Sequence, residues 1–152
     1  MPIKSFRGMI KDGNTDTIRL STNDGSTGYR IVKFHVMCED PLTANNESVM
    51  HIWKVPGQTP STSVDFSNNV LLGVGLWSNR DDSTYYPNEE NIIFDNEIFN
   101  QDIYITHKSD IANRNCNYYL ELEQIKLDLS ENTVATLKDI RNIASQWANN
   151  IL

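Results

Sequence analysis

Hydrophobic and polar residues alternate with a period of two along most of this chain. The alternation is strongest from Tyr29 to Cys38. One face of that segment carries Arg30, Val32, Phe34, Val36 and Cys38, and the other carries Tyr29, Ile31, Lys33, His35 and Met37. A period of two places successive side chains on opposite faces of a β-strand. The segment therefore predicts a long strand with one strongly apolar face.

Seven other segments carry a strand pattern and are separated by polar turn residues: 5–10, 17–20, 48–55, 69–77, 91–94, 102–107 and 117–127. Both faces of 48–55 are mostly apolar, which predicts a buried strand. The turn Asp12-Gly13-Asn14 predicts that the first two strands form a hairpin. Gly73 and Gly75 predict a bulge or a closely approaching backbone. Together these strands predict a mainly β fold, an antiparallel β-sandwich of jelly-roll type over residues 1–129.

The hydrophobic period changes after residue 129. Ser130 is a favourable N-cap residue, and Glu131 places an acid in the first helical turn. Apolar residues then recur at spacings of three and four: Val134, Leu137, Ile140, Ala144 and Trp147. Residues 130–152 therefore predict one amphipathic helix within the same single domain. The helix either covers a sheet edge or docks on a neighbouring subunit, with Trp147 at the contact.

Charge and composition exclude several classes of protein. The chain has 152 residues, 13 basic and 20 acidic, so its formal net charge is −7. An acidic protein is a poor ligand for nucleic-acid phosphates, which bind through Lys and Arg. The sequence has neither the apolar core of a signal peptide nor a stretch that could span a membrane. We expect no nucleic-acid or membrane partner, synthesis in a cytoplasm, and free thiols at Cys38 and Cys116.

No catalytic constellation is visible in the sequence. The three histidines, His35, His51 and His107, share no local motif with each other or with a cysteine. The nucleophile elbow, the Rossmann glycine fingerprint and the P-loop do not occur. Residues 12–16 and 23–26 carry Asp and Asn of the kind that calcium uses, but without EF-hand spacing. We expect no catalytic residue, no cofactor and no metal; ordinary turn chemistry accounts for both segments, with calcium as the alternative.

The net charge is concentrated in residues 81–110, which contain eight acidic residues and the single base Lys108. The segment is either a solvated loop or a contact for a basic partner, where charge complementarity selects the partner. On the second interpretation, the acids lack partners within the chain and point outward. The expected interface residues are Asp81, Asp82, Glu89 and Glu90, with Tyr85 and Tyr86 as apolar anchors. An alternative is that Trp77, Tyr85 and Tyr86 stack on sugar rings.

Three segments of the chain resemble virion structural proteins of tailed marine bacteriophages. They are GYRIVKF at 28–34, IIFDNEIFNQDIY at 92–104 and YYLELEQIKLDLSEN at 118–132. The resemblance implies a noncatalytic part of a virion that is made in the host cytoplasm. Such a part would decorate the capsid or belong to the tail or neck, in a homo-oligomer or repeated assembly with other virion proteins. The resemblance transfers no site residue, and a carbohydrate-binding β-sandwich module on a particle or cell surface is the alternative function.

Overall fold

The computed structural model describes residues 2–22, 25–43, 45–79 and 87–127. These ranges are mainly β and contain no helix. The strands are β1 (Ile3–Ile10), β2 (Thr15–Ile18), β3 (Thr27–Cys38), β4 (Asn46–Trp53), β5 (Leu71–Asn79), β6 (Asn88–Ile93), β7 (Ile103–Ser109) and β8 (Cys116–Lys126). The predicted helix of residues 130–152, including Trp147, lies outside the described residues.

The eight strands form two antiparallel sheets. The three-stranded sheet has the order β1-β8-β3, and the five-stranded sheet has the order β2-β7-β4-β5-β6. The pairing is nested along the chain, because β1 pairs with β8, β2 with β7, and β4 with β5. Strand β6 also contacts β3 of the other sheet. The first and last described strands are thus neighbours, and the middle of the chain forms a hairpin.

The predicted hairpin of the first two strands is wrong. The turn itself is present, because Gly13 has a φ of 79° and the Asn14 N–H donates to Lys11 O at 3.1 Å. However, β1 and β2 belong to different sheets. At this turn the backbone pairs with β7 instead, through a Gly13 N–H bond to His107 O and a His107 N–H bond to Asn14 O. The turn therefore carries the chain from one sheet to the other.

A β-bulge in β3 also changes the predicted faces of that strand. The pairing with β8 shifts register between Ile31 and Lys33, so Val32 is an extra residue with no partner in β8. Phe34, Val36 and Cys38 are buried as predicted, but Val32 is 40% exposed. One extra residue inverts the alternation on one side of the bulge. For this reason the other buried side chains of β3 are Tyr29 and Ile31, which the simple period places on the opposite face.

The main hydrophobic core is built from both sheets. It includes Phe34, Val36, Leu120 and Leu122 from the three-stranded sheet and Met50, Ile52, Ile103 and Ile105 from the five-stranded sheet. Strand β4 is buried along nearly its whole length, as predicted. A Cβ atom at Gly75 would lie 2.9 Å from both Phe34 Cε2 and Val36 Cγ1. Gly75 therefore lets the side chains of β3 approach the backbone of β5.

A smaller core lies on the other face of the five-stranded sheet. It contains Trp53, Val55, Val70 and Leu71, with Phe94 and Tyr104 packed against it. The chain between β4 and β5 is fixed over this face, because the His51 Nε2–H donates to Ser63 O at 2.9 Å. Beneath it, Trp53 Nε1 donates to Thr106 Oγ1 at 2.9 Å. These contacts place residues 54–70 beside the segment that follows β6.

Candidate functional site: a groove on the three-stranded sheet

A concavity with a volume of about 840 Å³ lies across the three-stranded sheet. We call it the outer groove. It is lined by Arg7, Gly8 and Met9 of β1, His35, Val36 and Met37 of β3, Glu89 of β6, and Asn117, Tyr118 and Tyr119 of β8. The groove thus joins all three strands of one sheet to the edge strand of the other.

The outer groove exposes large apolar side chains. Met9, Met37 and Tyr119 are 46%, 50% and 37% exposed. Each of them is next in sequence to a buried residue whose side chain belongs to the core, such as Ile10 or Cys38. Alternation along the strands therefore directs them away from the core. Flexible thioethers adapt to varied partners, and tyrosine and arginine are common anchors of protein contacts.

Glu89 forms one wall of the outer groove. Its Oε1 atom lies 2.8 Å from His35 Nδ1 and accepts a hydrogen bond from the Val36 N–H at 3.1 Å. Asn91 Nδ2 donates to the same oxygen at 3.1 Å. Because β6 and β3 are edge strands of different sheets, this carboxylate joins the two sheet edges. Glu89, expected to point outward without a partner, is therefore bound within the chain.

Two more acids of the 81–110 segment have partners inside the chain. Glu97 Oε1 lies 2.6 Å from Lys54 Nζ, and both side chains are buried. The Asp102 carboxylate accepts backbone N–H bonds from Leu20 at 2.7 Å and Ser21 at 2.8 Å. Partial burial opposes ionisation of Asp102, but these N–H bonds outweigh it and lower its pKa. The expectation that acids of this segment lack internal partners is therefore wrong for Glu97 and Asp102 as well.

The remaining predicted contact residues fall in different places. Glu90 is exposed and borders a second, apolar groove on the five-stranded sheet, away from Glu89. Trp77 is 6% exposed and belongs to the main core, so its ring is packed against the inside of the protein. Asp81, Asp82, Tyr85 and Tyr86 lie outside the described residues, as does Trp147. The described part of the acidic segment is thus distributed over two surfaces.

The acidic turn at residues 12–16 is occupied by internal bonds. Asp12 accepts backbone N–H bonds from Ser109 at 2.9 Å and Asn113 at 3.3 Å, and it lies 3.5 Å from Lys108 Nζ. Asp16 accepts a bond from the Tyr118 hydroxyl at 3.0 Å. Within the described ranges, no cluster of three or more His, Cys, Asp or Glu side chains is arranged to hold a metal ion. The other candidate calcium turn includes Asn23 and Asp24, which are outside those ranges.

Two of the three histidines are buried structural donors. The His107 Nδ1–H donates to Ile10 O at 2.9 Å, as His51 does to Ser63 O. Burial lowers the pKa of His51 and of His107, despite the opposing effect of these carbonyl contacts. Both rings therefore favour the neutral form, and each is engaged with a backbone carbonyl rather than with a nucleophile.

Comparison with protein-family models, with curated proteins and with solved structures gave no match for this chain. Among the residues that the structure describes, no helix is long and apolar enough to cross a membrane. The groove residues Arg7, Met9, Met37 and Tyr119 were not predicted as a site. The sequence contained a signal for the exposure of Met37, because Met37 lies between the core residues Val36 and Cys38. That Met9 lies near Met37 becomes visible only when β1 and β3 are both paired with β8.

Proposed function

We propose that this protein is a noncatalytic structural component of a tailed-phage virion, either a capsid decoration protein or an accessory protein of the tail or neck. It acts through protein-protein contacts. The observation that carries the proposal is the outer groove, where Met9, Met37 and Tyr119 are exposed beside Arg7. Contiguous exposed apolar side chains in a folded protein are typical of contact surfaces.

We further infer that the two sheets form a jelly-roll sandwich. A jelly roll arises when a long antiparallel hairpin wraps on itself. The first strand then pairs with the last, the second with the next to last, and so on toward the middle of the chain. The pairs β1-β8, β2-β7 and β4-β5 follow this order, and the contact of β6 with β3 supplies the fourth. Jelly rolls serve in viral capsids and in lectins. This fold-level analogy supports a virion role without assigning one, since a fold alone does not fix a function.

The partners that we propose are further copies of this chain or other virion proteins. Arg7 and His35 give the outer groove basic groups beside its apolar ones, while Glu90 is exposed elsewhere. We retain Asp81, Asp82, Tyr85, Tyr86 and Glu90 as a second proposed contact for a partner with a basic surface. Trp147 belongs to the proposed attachment helix. Each copy in a repeated assembly would then contact its neighbours through two different surfaces, the outer groove and the acidic segment.

The test is incorporation of variants into particles. The double substitution Met9→Ser and Met37→Ser removes two exposed thioethers from the outer groove. Because neither side chain belongs to the core, we expect the melting temperature to stay within about 2 °C of wild type, as for surface substitutions worth less than about 0.5 kcal/mol. We expect occupancy in purified particles, measured by quantitative mass spectrometry, to fall at least about tenfold, equivalent to about 1.4 kcal/mol of contact free energy.

The matched control is the double substitution Leu42→Ser and Ile111→Ser, which removes two exposed apolar side chains outside both the outer groove and the apolar groove beside Glu90. Its occupancy should equal that of wild type. Wild-type protein missing from purified particles would refute the virion role. Equal occupancy of the groove variant and the control would instead show that the outer groove makes no contact in the particle.

A further inference from the structure

Strand β1 forms an open edge of the three-stranded sheet. Its one neighbour in that sheet is β8, and just before β1 the Gln124 N–H donates to Pro2 O at 2.9 Å. Because antiparallel strands exchange hydrogen bonds at alternate residues, the even-numbered residues of β1 direct their N–H and C=O groups toward β8. The odd-numbered residues direct theirs away from β8: Ile3, Ser5, Arg7 and Met9. In the described part of the chain, these outward groups have no backbone partner.

The other edge strands of the two sheets differ from β1. The edge of β3 is covered, since Tyr29 exchanges two backbone hydrogen bonds with Phe99 and the Val36 N–H donates to Glu89. Strands β2 and β6 have four and six residues. Strand β1 has eight residues, no proline, and no irregularity in its pairing with β8. Short strands, prolines and bulges are the usual protection of a sheet edge, so the edge of β1 suits the addition of another strand.

We propose that β1 pairs with β1 of a second copy of this chain. The two strands run antiparallel about a two-fold axis and join each three-stranded sheet to its counterpart in one continuous sheet. A two-fold contact requires a surface that is complementary to itself. An axis at Phe6 meets this requirement. It places Ile3 opposite Met9 of the second copy, and Ser5 opposite Arg7 of the second copy.

The outward-paired residues select this register. Ile3 and Met9 are 53% and 46% exposed, so an axis at Phe6 pairs two exposed apolar side chains at each end of the contact. An axis at Arg7 would set two arginines directly opposite each other, and like charges in that position are destabilising. An axis at Ser5 would place Ile3 opposite Arg7 and leave Met9 opposite a residue that precedes the strand.

The inward-facing residues fit the same register. Phe6 is half-buried and packs against the main core, and the axis places it beside Phe6 of the second copy. Aromatic pairs across neighbouring strands stabilise a sheet. Lys4 Nζ lies 5.5 Å from the centre of the Phe6 ring, and this side chain would lie opposite Gly8 of the second copy. Because Gly8 has no side chain, it leaves room for Lys4.

This inference does not depend on the proposed virion role, because two free copies in solution could form the same dimer. The dimer would set two outer grooves side by side, since Arg7 and Met9 also line that groove. Particle occupancy tests the virion role, and self-association of the purified protein tests the dimer. A dimer that is missing from particles would refute only the first proposal, and a monomer that enters particles would refute only the second.

The test is sedimentation equilibrium of the full-length protein, for which we expect a reversible dimer. Ser5→Pro removes an N–H that points away from β8, where a strand tolerates proline, so the variant should keep its β circular dichroism. Its dissociation constant should rise at least about tenfold, because each dimer loses two hydrogen bonds. Ser5→Ala is the matched control. It also removes the hydroxyl but keeps the N–H, and it should dimerise as wild type does.

A second variant tests the register without a backbone change. Ser5→Lys lies opposite Glu121 within the chain, which favours folding, but opposite Arg7 of the second copy in the dimer. Its dissociation constant should rise at least about threefold, because each dimer gains two like-charge pairs. Adding Arg7→Glu makes both pairs opposite in charge and should restore the dimer. The proposal is overturned if the wild-type protein is a monomer at every concentration, if Ser5→Pro and Ser5→Lys dimerise as wild type does, or if Arg7→Glu does not rescue Ser5→Lys.

Discussion

At the scale of single residues, the structure shows a relation between Cys38 and Cys116 that the sequence does not show. They are far apart in the chain but directly opposite each other in the pairing of β3 with β8, and both thiols are buried and free. The Cys38 Sγ–H donates to Ser48 Oγ at 3.5 Å. The adjacent Cys38 thiol, together with burial, raises the pKa of Cys116. The pKa of Cys38 is lowered by its contact with Cys116, so protonation does not protect both thiols, but both side chains are 0% exposed and out of reach of a reagent in solution.

We therefore expect the native protein to resist alkylation and the denatured, nonreduced protein to take up two labels, as intact mass would show. Opposite Cα atoms of antiparallel strands lie about 4.5–5.5 Å apart, within the range of roughly 4.4–6.8 Å that a disulfide bridges. A disulfide is thus the specific alternative. No label on the denatured protein until a reductant is added would demonstrate it and contradict the expected free thiols.

At the scale of elements, the contact of β5 with β3 depends on Gly75. Replacing a strand glycine by alanine usually stabilises a protein by roughly 0.5–1 kcal/mol. At Gly75, the new methyl would lie 2.9 Å from Phe34 and Val36. We expect Gly75→Ala to lower the free energy of unfolding by about 1–3 kcal/mol, the usual cost of overpacking a core. Urea denaturation would measure it.

The matched test of this mechanism is a double-mutant cycle with Phe34→Leu, which makes room for the methyl. If crowding is the cause, the double variant should lose less stability than the two single variants together. Additive losses, or a Gly75→Ala protein more stable than wild type, would show that the two sheets do not approach at this residue as closely as the structure indicates.

At the scale of the whole molecule, stability should depend on pH through two histidines. Burial lowers the pKa of His51 and His107 below the usual value of 6.5. The unfolded chain therefore binds protons at a pH where the folded chain does not, so stability is full above about pH 6.5 and falls as the solution becomes more acidic. Each histidine contributes a slope of at most about 1.4 kcal/mol per pH unit until the folded protein titrates.

Unfolding free energies from urea titrations at pH 7.5, 6.5, 5.5 and 4.5 would measure this dependence. His51→Gln and His107→Gln keep a donor for the backbone carbonyl, and each should reduce the slope below pH 6.5. The carboxylates with lowered pKa, Asp12 and Asp102, titrate at lower pH, because their usual value is 3.8. A stability that is flat from pH 7.5 to 4.5 would contradict the proposed role of the buried histidines.

Much of the strand content could be predicted from alternation, because it is a local property of the chain. The apolar face at Phe34, Val36 and Cys38 and the burial of β4 follow from it directly. The inverted face at Ile31 could not be predicted, since the bulge at Val32 appears only when β3 is paired with β8. The hairpin prediction was wrong for a related reason: a turn sequence specifies a bend, but not which strand lies alongside the next one.

Of the residues that line the outer groove, sequence reasoning identified only Glu89, and it misjudged the surroundings of that residue. Charge clustering along the chain does not show which charges are compensated in space. Lys54 and His35 are distant in sequence from Glu97 and Glu89, and only folding brings each pair together. Sequence reasoning likewise selected aromatic residues by residue type. Residue type does not show exposure, because Trp77 is in the core and Phe66 is exposed.

The sequence by itself determined that the chain is mainly β, because alternation and turn residues act over a few residues each. It also determined the acidic net charge, and the charge excess within residues 81–110. Only the tertiary structure decided strand partners, the bulge at Val32, the meeting of Cys38 with Cys116, and the surfaces that Met37 and Phe66 share with distant residues. These features depend on contacts between segments far apart in the chain. Which segments meet is decided by strand pairing and close packing, not by local conformational preference.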